Sequence, residues 1–70
     1  MTTSVDAAKV LAARKACDYT QQQVARLAGI SDRHYRQIEK GRTVPSANVL
    51  ARLADVLEVE MRDLMGGKDG

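Results

Sequence analysis

The stretch TQQQVARLAGISDRHYRQIEKG, residues 20–41, decides the fold because it holds the start and stop signals of two short helices. Thr20 can cap a helix over residues 21–28, and Gln23 stands at the position that completes a capping box. Gly29 follows and can take the left-handed conformation in which many helices end. The first half of the stretch therefore predicts one short helix with a defined beginning and end.

The second half carries a similar set of signals. Ser31 can cap a helix over residues 32–40, and Gly41 can end it. The apolar positions Tyr35 and Ile38 lie three residues apart, so only a narrow stripe of this helix can face a core. Two helices joined by so tight a corner form a helix-turn-helix, and most of the second helix lies outside the core.

Helical spacing of apolar residues predicts three further helices, at about residues 5–17, 47–57 and 61–65. Ser4 and Ser46 are the expected N-caps of the first two. The chain has no internal repeat and no linker long enough to divide it. We therefore expect one all-α domain over residues 5–65, with a flexible N-terminus at residues 1–4 and a flexible tail at residues 66–70.

The composition of the 70 residues limits the chemistry that the chain can perform. Apolar residues make up 44% of the chain, enough for one small core. The single Cys17 allows no internal disulfide, and with the single His34 it gives no metal-ligand set, so we expect no metal and no cofactor. The sequence shows neither a signal peptide nor a membrane span, which predicts a soluble cytoplasmic protein.

The net charge of +2 is unevenly distributed along the chain. Residues 14–42 carry seven basic and three acidic side chains, whereas residues 52–70 carry three basic and five acidic ones. One part of the molecule could therefore face a polyanion while the other avoids it. On charge alone, it is equally consistent that mixed charges simply keep a small protein soluble.

The run TQQQVARLAGISDRHYRQIEKGRTVPSANVLARLADVLEVEMRDLM resembles the phage-repressor and Cro-like (XRE-type) helix-turn-helix family nearly throughout. The matching features are a Thr-Gln helix start, an Ala-Gly-Ile-Ser corner, an Ile-Glu-x-Gly helix end, a Pro-Ser start and a Leu-x-x-Leu-Ala-x-x-Leu helix. The resemblance covers about residues 6–65. It implies a compact five-helix, lambda-repressor-like domain that binds double-stranded DNA and usually works as a dimer.

In such domains the second helix of the helix-turn-helix lies with its N-terminal part in the major groove. The outward residues that match the base-reading positions of the family are Asp32, Arg33, His34 and Gln37. The guanidinium of Arg33 matches the two acceptors of guanine, and the amide of Gln37 matches adenine. His34 can donate to a purine N7 or simply face solvent.

Asp32 is an acid directed at a polyanion, and two explanations are open. In the first turn of a helix a carboxylate is favoured by the helix dipole, and it could also hold Arg33 or Arg36 in position. Alternatively, it could accept a hydrogen bond from the N4 amine of cytosine. We favour the first explanation and regard cytosine reading as the minority interpretation.

Phosphate contacts are expected to position the protein on the duplex. Gln21 matches the phosphate-clamping glutamine of the family, at the start of a helix where an anion is favoured. The neighbouring strand segment would be held by four further residues, Arg36, Lys40, Arg42 and Thr43. Arg26 is expected to be a solvated surface residue rather than a phosphate contact.

Three further expectations concern positions that hold the domain together. The resemblance implies a structural ion pair between Arg14 and Glu39, which ties the first helix to the reading helix. Tyr35 is expected to fill core space, with its hydroxyl reaching solvent or a phosphate. Glu58 stands where the family usually has glycine, so the C-terminal end is expected to be either less tightly held or rearranged for a partner. The apolar residues of this end would form a dimer contact, at Met61, Leu64 and Met65.

These features predict a sequence-specific DNA-binding transcriptional regulator, a repressor or an activator, that binds a pseudo-palindromic operator as a homodimer. The alternative is a protein-interaction module of the same fold, such as an antitoxin or a polymerase-binding adaptor. An enzyme is not expected, since the chain has no nucleophile–base pair and no phosphate loop. The outward face of residues 32–40 favours DNA, because it offers charged and polar groups rather than apolar anchors.

Overall fold

The computed structural model describes residues 5–66, and it is built from helices. Its four α-helices are α1 (Ala7–Ala16), α2 (Gln21–Ala28), α3 (Asp32–Glu39) and α4 (Ala47–Leu57). A 3-10 helix, Met61–Leu64, takes the place of the predicted fifth α-helix. The all-α prediction is confirmed with four α-helices rather than five. The flexible N-terminus predicted at residues 1–4 lies outside the described residues, and so do residues 67–70 of the tail predicted at residues 66–70.

The first helix begins later than predicted because Asp6, and not Ser4, is its N-cap. The Asp6 carboxylate accepts hydrogen bonds from the backbone N–H groups of Ala8 at 3.0 Å and Lys9 at 3.4 Å. A carboxylate accepts hydrogen bonds from the free N–H groups of the first turn, and the helix dipole stabilises its negative charge. The helix therefore starts at Ala7 instead of near residue 5.

The corner between α2 and α3 forms as the sequence signals predict. Thr20 Oγ1 accepts from the N–H of Gln23 at 3.1 Å, and Gln23 Oε1 accepts from the N–H of Thr20 at 2.8 Å. Gly29 ends α2 with a φ of +74°, and Ser31 Oγ then accepts from the N–H of His34 at 3.0 Å. These caps set the position of the corner between the two helices within a few residues.

The core fills the space between the helices. In the part of the chain that the structure describes, α2 packs against α3 and α4, while α1 packs against α3 and the 3-10 helix. The hydrophobic core consists of these buried residues: Val10, Val24, Ala25, Ala28, Tyr35, Ile38, Leu50, Leu53, Ala54, Leu57 and Leu64. No helix among residues 5–66 is long and apolar enough to cross a bilayer.

Leu64 does not belong to a surface patch, so that part of the dimer prediction is wrong. Its side chain is fully buried, whereas Met61 and Met65 are half-buried against the core. The 3-10 helix is also tied to the start of the domain, since the N–H of Asp6 donates to the carbonyl of Leu64 at 2.9 Å. Val5 and Met65 form an isolated antiparallel bridge beside this contact.

Glu58 carries the backbone strain of the C-terminal end. It ends α4 in the left-handed region, with a φ of +60°, where a glycine would be unstrained. Its N–H still donates to the carbonyl of Asp55 at 3.2 Å, and the next residue donates to the carbonyl of Ala54 at 3.0 Å. Glu58 therefore keeps the cap geometry in a backbone conformation that is unfavourable for a residue with a Cβ atom.

We expect Glu58→Gly to increase the free energy of unfolding by about 1 kcal/mol. Removing Cβ relieves a left-handed conformation that costs ~1–2 kcal/mol, and the greater freedom of glycine in the unfolded chain offsets part of that gain. Urea unfolding of the two proteins measures the difference. Glu58→Ala is the matched control, because it removes the carboxylate but keeps the strain. A glycine variant no more stable than the alanine variant would contradict the explanation.

Candidate nucleic-acid interface

The outward face of α3 and the segment after it carry the predicted DNA contacts. Tyr35 and Ile38 point into the core, as their spacing predicts. The remaining predicted residues from Asp32 to Thr43 reach solvent. The exposed ones are basic, namely Arg33, Arg36, Lys40 and Arg42, and the partly exposed ones are Asp32, His34, Gln37 and Thr43. The structure therefore places all eight on one helix and its immediate continuation.

Acidic side chains gather on other elements of the fold. Four exposed acids lie in the C-terminal third: Asp55 on α4, Glu58 at its end, Glu60 just before the 3-10 helix and Asp63 on it. On α3 itself the acids are Asp32 and Glu39, and each has a basic partner within the described residues. The charge division seen along the sequence is thus also a division between helices.

Asp32 contacts Arg36 one turn along α3. Its Oδ2 lies 3.3 Å from an Nη atom of Arg36, and both side chains are about half exposed. Its Oδ1 is buried and has no hydrogen-bond donor among the described residues. Asp32 lines a shallow cavity of about 260 Å³ between α2 and α3, together with Gln22, Ala25, Arg26 and Ile30. Of the two basic residues that Asp32 was expected to hold, it contacts Arg36 and not Arg33.

Glu39 is the centre of a network of four hydrogen bonds. Its Oε2 accepts from Arg14 Nε at 2.6 Å and from the Tyr35 hydroxyl at 2.5 Å. Its Oε1 accepts from Gln21 Nε2 at 2.9 Å and from Arg14 Nη2 at 3.3 Å. Arg14 and Glu39 therefore lie together, where the family resemblance puts an ion pair. Only 5% of the Glu39 side chain and 14% of the Arg14 side chain remain exposed.

The sequence did not predict that Tyr35 and Gln21 form hydrogen bonds with Glu39. The Tyr35 hydroxyl does not reach solvent or a phosphate, as we expected, but donates to Glu39 within its own helix. The four-residue spacing of Tyr35 and Glu39 is the signal that could have revealed this bond. The side-chain amide of Gln21 lies beside the same carboxylate. Residues from α1, α2 and α3 thus meet at one acid.

The network fixes the protonation states of its members. Burial alone would raise the pKa of Glu39, but hydrogen bonds from Arg14, Tyr35 and Gln21 outweigh it and hold the pKa below the usual range. The hydrogen bond to Glu39 raises the pKa of Arg14, although burial opposes it. Burial, followed by the bond to Glu39, raises the pKa of Tyr35. At neutral pH the acid is charged, the arginine is charged and the tyrosine is neutral.

Gln21 stands at the first position of α2, beside donors that the helix leaves free. The backbone N–H groups of Gln21 and Gln22 have no intrahelical acceptor, because they belong to the first turn. The backbone N–H groups of Thr20 and Gln23 are already satisfied, because each donates to the side chain of the other residue in the capping box. The amide nitrogen of Gln21 gives one hydrogen to Glu39 and retains a second. This end of α2 therefore offers a group of N–H donors to an anion.

The structure exposes two apolar residues that the sequence did not single out. Leu27 on α2 is 57% exposed, and Val44, in the loop after α3, is 72% exposed. Leu27 lines a shallow cavity of about 210 Å³ with Gln22, Gln23 and Arg26. Among residues 5–66, no three His, Cys, Asp or Glu side chains are placed to hold a metal ion together.

Residues 10–64 match the model of a family described as helix-turn-helix. The cryptic phage CTXphi transcriptional repressor RstR of Vibrio cholerae is 40% identical over 53 residues, which cover 76% of this chain and 47% of RstR. The HTH-type transcriptional regulator YazB of Bacillus subtilis is 38% identical over 56 residues, covering 80% and 81% of the two chains. The match thus spans about half the length of RstR but most of YazB.

A solved structure shares the fold. The crystal structure of the restriction-modification controller protein C.AhdI from Aeromonas hydrophila superimposes with a TM-score of 0.79 at 26% sequence identity. The superposition covers 83% of this chain and 88% of that protein. The arrangement of helices described above is therefore also that of a controller protein.

The Glu39 network makes folding stability depend on pH in a defined direction. We expect Glu39→Gln to lower the free energy of unfolding at pH 7 by about 3 kcal/mol, since it leaves Arg14 without its buried counter-charge. Because the folded-state pKa of Glu39 is lowered, its stabilising effect is complete above the ordinary value of about 4.3 and is lost as pH falls through the folded-state value. The difference between the two proteins should therefore shrink below about pH 4.

Urea titrations of both proteins from pH 7 to pH 3 measure this dependence. Glu60→Gln is the control, because its exposed ion pair with Arg62, at 3.0 Å, should contribute no more than about 1 kcal/mol. A Glu39→Gln deficit that stays constant through the acid range would contradict a charged Glu39 at the centre of the network.

Proposed function

The chain belongs to the helix-turn-helix family, and from that premise we propose that it is a sequence-specific DNA-binding transcriptional regulator. The observation that carries the proposal is the surface of α3, where the side chains outside the core are polar or charged and the exposed ones are basic. Such a surface suits a groove lined by base edges and phosphates. The transcriptional regulators among its relatives support the same reading.

In this proposal α3 enters the major groove with its first turn facing the base edges. Arg33 is exposed and forms no ion pair with an acid among residues 5–66, so its guanidinium is available to the two acceptors of guanine. Gln37 lies one turn further and suits adenine. His34 is a weaker base-reading candidate. Asp32 acts chiefly by holding Arg36, which leaves cytosine reading as a secondary possibility for it.

Phosphate contacts would come from both sides of the corner. The start of α2 offers the Gln21 amide and the free N–H groups of the first turn to one phosphate. Beyond the base-reading part of α3, the contacts would pass to Arg36, Lys40, Arg42 and Thr43. These residues follow one another along the helix and loop, as a run of contacts to one DNA strand requires.

A homodimer on a pseudo-palindromic operator completes the proposal, with half-sites about 10 bp apart. The candidate contact is the C-terminal end, where Met61 and Met65 are partly exposed. Leu64 can support this surface only from beneath, because it is fully buried. Two-fold symmetry would bring two copies of α3 to successive major grooves on one face of the duplex.

A protein-interaction module remains the second candidate, and one observation favours it. Leu27 and Val44 are exposed apolar side chains, and Leu27 lines the shallow cavity on α2. Neither residue lies on α3, however, and scattered exposed apolar side chains are normal on a small protein. The polar face of α3 therefore gives DNA the stronger claim.

Selection of bound duplexes from a random library, at two salt concentrations, tests the proposal. We expect enrichment of a two-fold symmetric site, and sedimentation of the complex should show two chains per duplex. Enrichment of a single unrepeated half-site would support base reading but contradict the dimer. If nothing is enriched and binding vanishes at moderate salt, only phosphates are held, and the protein-interaction module becomes the better explanation.

The proposal separates base readers from phosphate binders among the basic residues. We expect Arg33→Ala to relax one position in each half-site, with a loss of ~1–3 kcal/mol of discrimination there. Lys40→Ala should weaken all sequences alike and reduce the salt slope by about 1. Quantitative binding to the selected site and to single-base variants of it measures both effects. Arg62→Ala is the control, since this residue is paired with Glu60 at the other end of the chain.

A further inference from the structure

Tyr35, Glu39 and Gln21 form a chain of hydrogen bonds from the core to the start of α2. The Tyr35 side chain is fully buried, and its hydroxyl donates to Glu39 Oε2 at 2.5 Å. Glu39 Oε1 then accepts from Gln21 Nε2 at 2.9 Å. A hydroxyl inside the core is thus connected through one carboxylate to the amide that the proposed function directs at DNA.

The geometry of the carboxylate makes this connection directional. Oε2 is occupied by two short bonds, from the Tyr35 hydroxyl and from Arg14 Nε at 2.6 Å. These bonds fix the plane of the carboxylate, so that Oε1 faces Gln21 while receiving a longer bond of 3.3 Å from Arg14 Nη2. Only 5% of the Glu39 side chain is exposed, so water competes weakly for these positions.

We infer that Tyr35, acting through Glu39, is a positioning residue for the Gln21 amide in its contact with a DNA phosphate. This inference rests on the proposed function. A glutamine at the start of a helix would otherwise sample several rotamers, and ordering it on binding would reduce affinity. With one amide hydrogen held by Glu39, the amide is fixed in one orientation, and its second hydrogen remains available to an anion at the start of α2.

The free protein provides the first test, because the positioning exists before DNA binds. In ¹⁵N–¹H spectra, one Gln21 side-chain amide proton should resonate downfield and exchange slowly. Tyr35→Phe should move both protons towards the values of an unrestrained glutamine. Tyr19→Phe is the matched control, since it removes the other tyrosine hydroxyl of the chain and should leave Gln21 unchanged. Unchanged Gln21 signals in Tyr35→Phe would overturn the inference.

A double-mutant cycle on DNA affinity provides the second test, with the selected duplex as the probe. Tyr35→Phe should weaken binding about three- to tenfold, as expected for one lost hydrogen bond of ordinary strength. In a Gln21→Ala background the same change should weaken binding by less than about twofold, because the positioned group is gone. In an Arg33→Ala background the full loss should persist.

The outcomes separate the inference from the proposed function. If the wild-type protein binds its selected duplex and Tyr35→Phe causes equal losses with and without Gln21, the positioning role is overturned while DNA binding stands. If the wild-type protein selects no duplex, the proposed function fails, and the positioning role for a phosphate contact fails with it.

Discussion

The carboxylate of Glu39 is the group on which the arrangement of the first three helices depends. A buried charge is costly unless it is paired and its lone pairs are satisfied. Here one acid receives hydrogen bonds from α1 through Arg14, from α2 through Gln21 and from its own helix through Tyr35. Arg14 also donates to the carbonyl of Tyr19 at 2.8 Å, between α1 and α2. Any rotation of α3 would break several of these bonds together, so the network fixes the direction of its outer face.

The apolar core alone could not fix α3 in this way. Tyr35 and Ile38 are its two buried side chains, and a two-residue stripe tolerates rotation about the helix axis. The caps at Thr20 and Ser31, with Gly29 between them, set the corner but not the tilt of a short helix. The polar network adds the missing directional constraint, because hydrogen bonds depend on angle as well as distance.

Local signals predicted what local chemistry controls. The boundaries of α2 follow from its capping residues and glycine, and those of α4 follow from Ser46 and its apolar spacing, so both were predictable. A helix was predicted at residues 61–65, but its 3-10 form was not, because residues 61–64 are held by a cap from Asp63 and by a hydrogen bond from Asp6. The pairing of Arg14 with Glu39 came from the family resemblance. The Tyr35 and Gln21 bonds depend on where a carboxylate lies in space, which spacing alone does not give.

Sequence spacing is also insufficient to predict which charged groups of the candidate interface are free to contact DNA. Periodicity identifies the residues of α3 that face outward, but it does not say which of their charges are already engaged. Glu39 is neutralised by Arg14 and Asp32 by Arg36, so the two acids of α3 present little unbalanced negative charge to a polyanion. Among residues 5–66, Arg33 has no acidic partner, so in the proposed complex it would approach a base edge without first breaking an ion pair. In the proposed complex, local pairing of the acids would leave base recognition to Arg33 and to Gln37, which lies one turn further along α3.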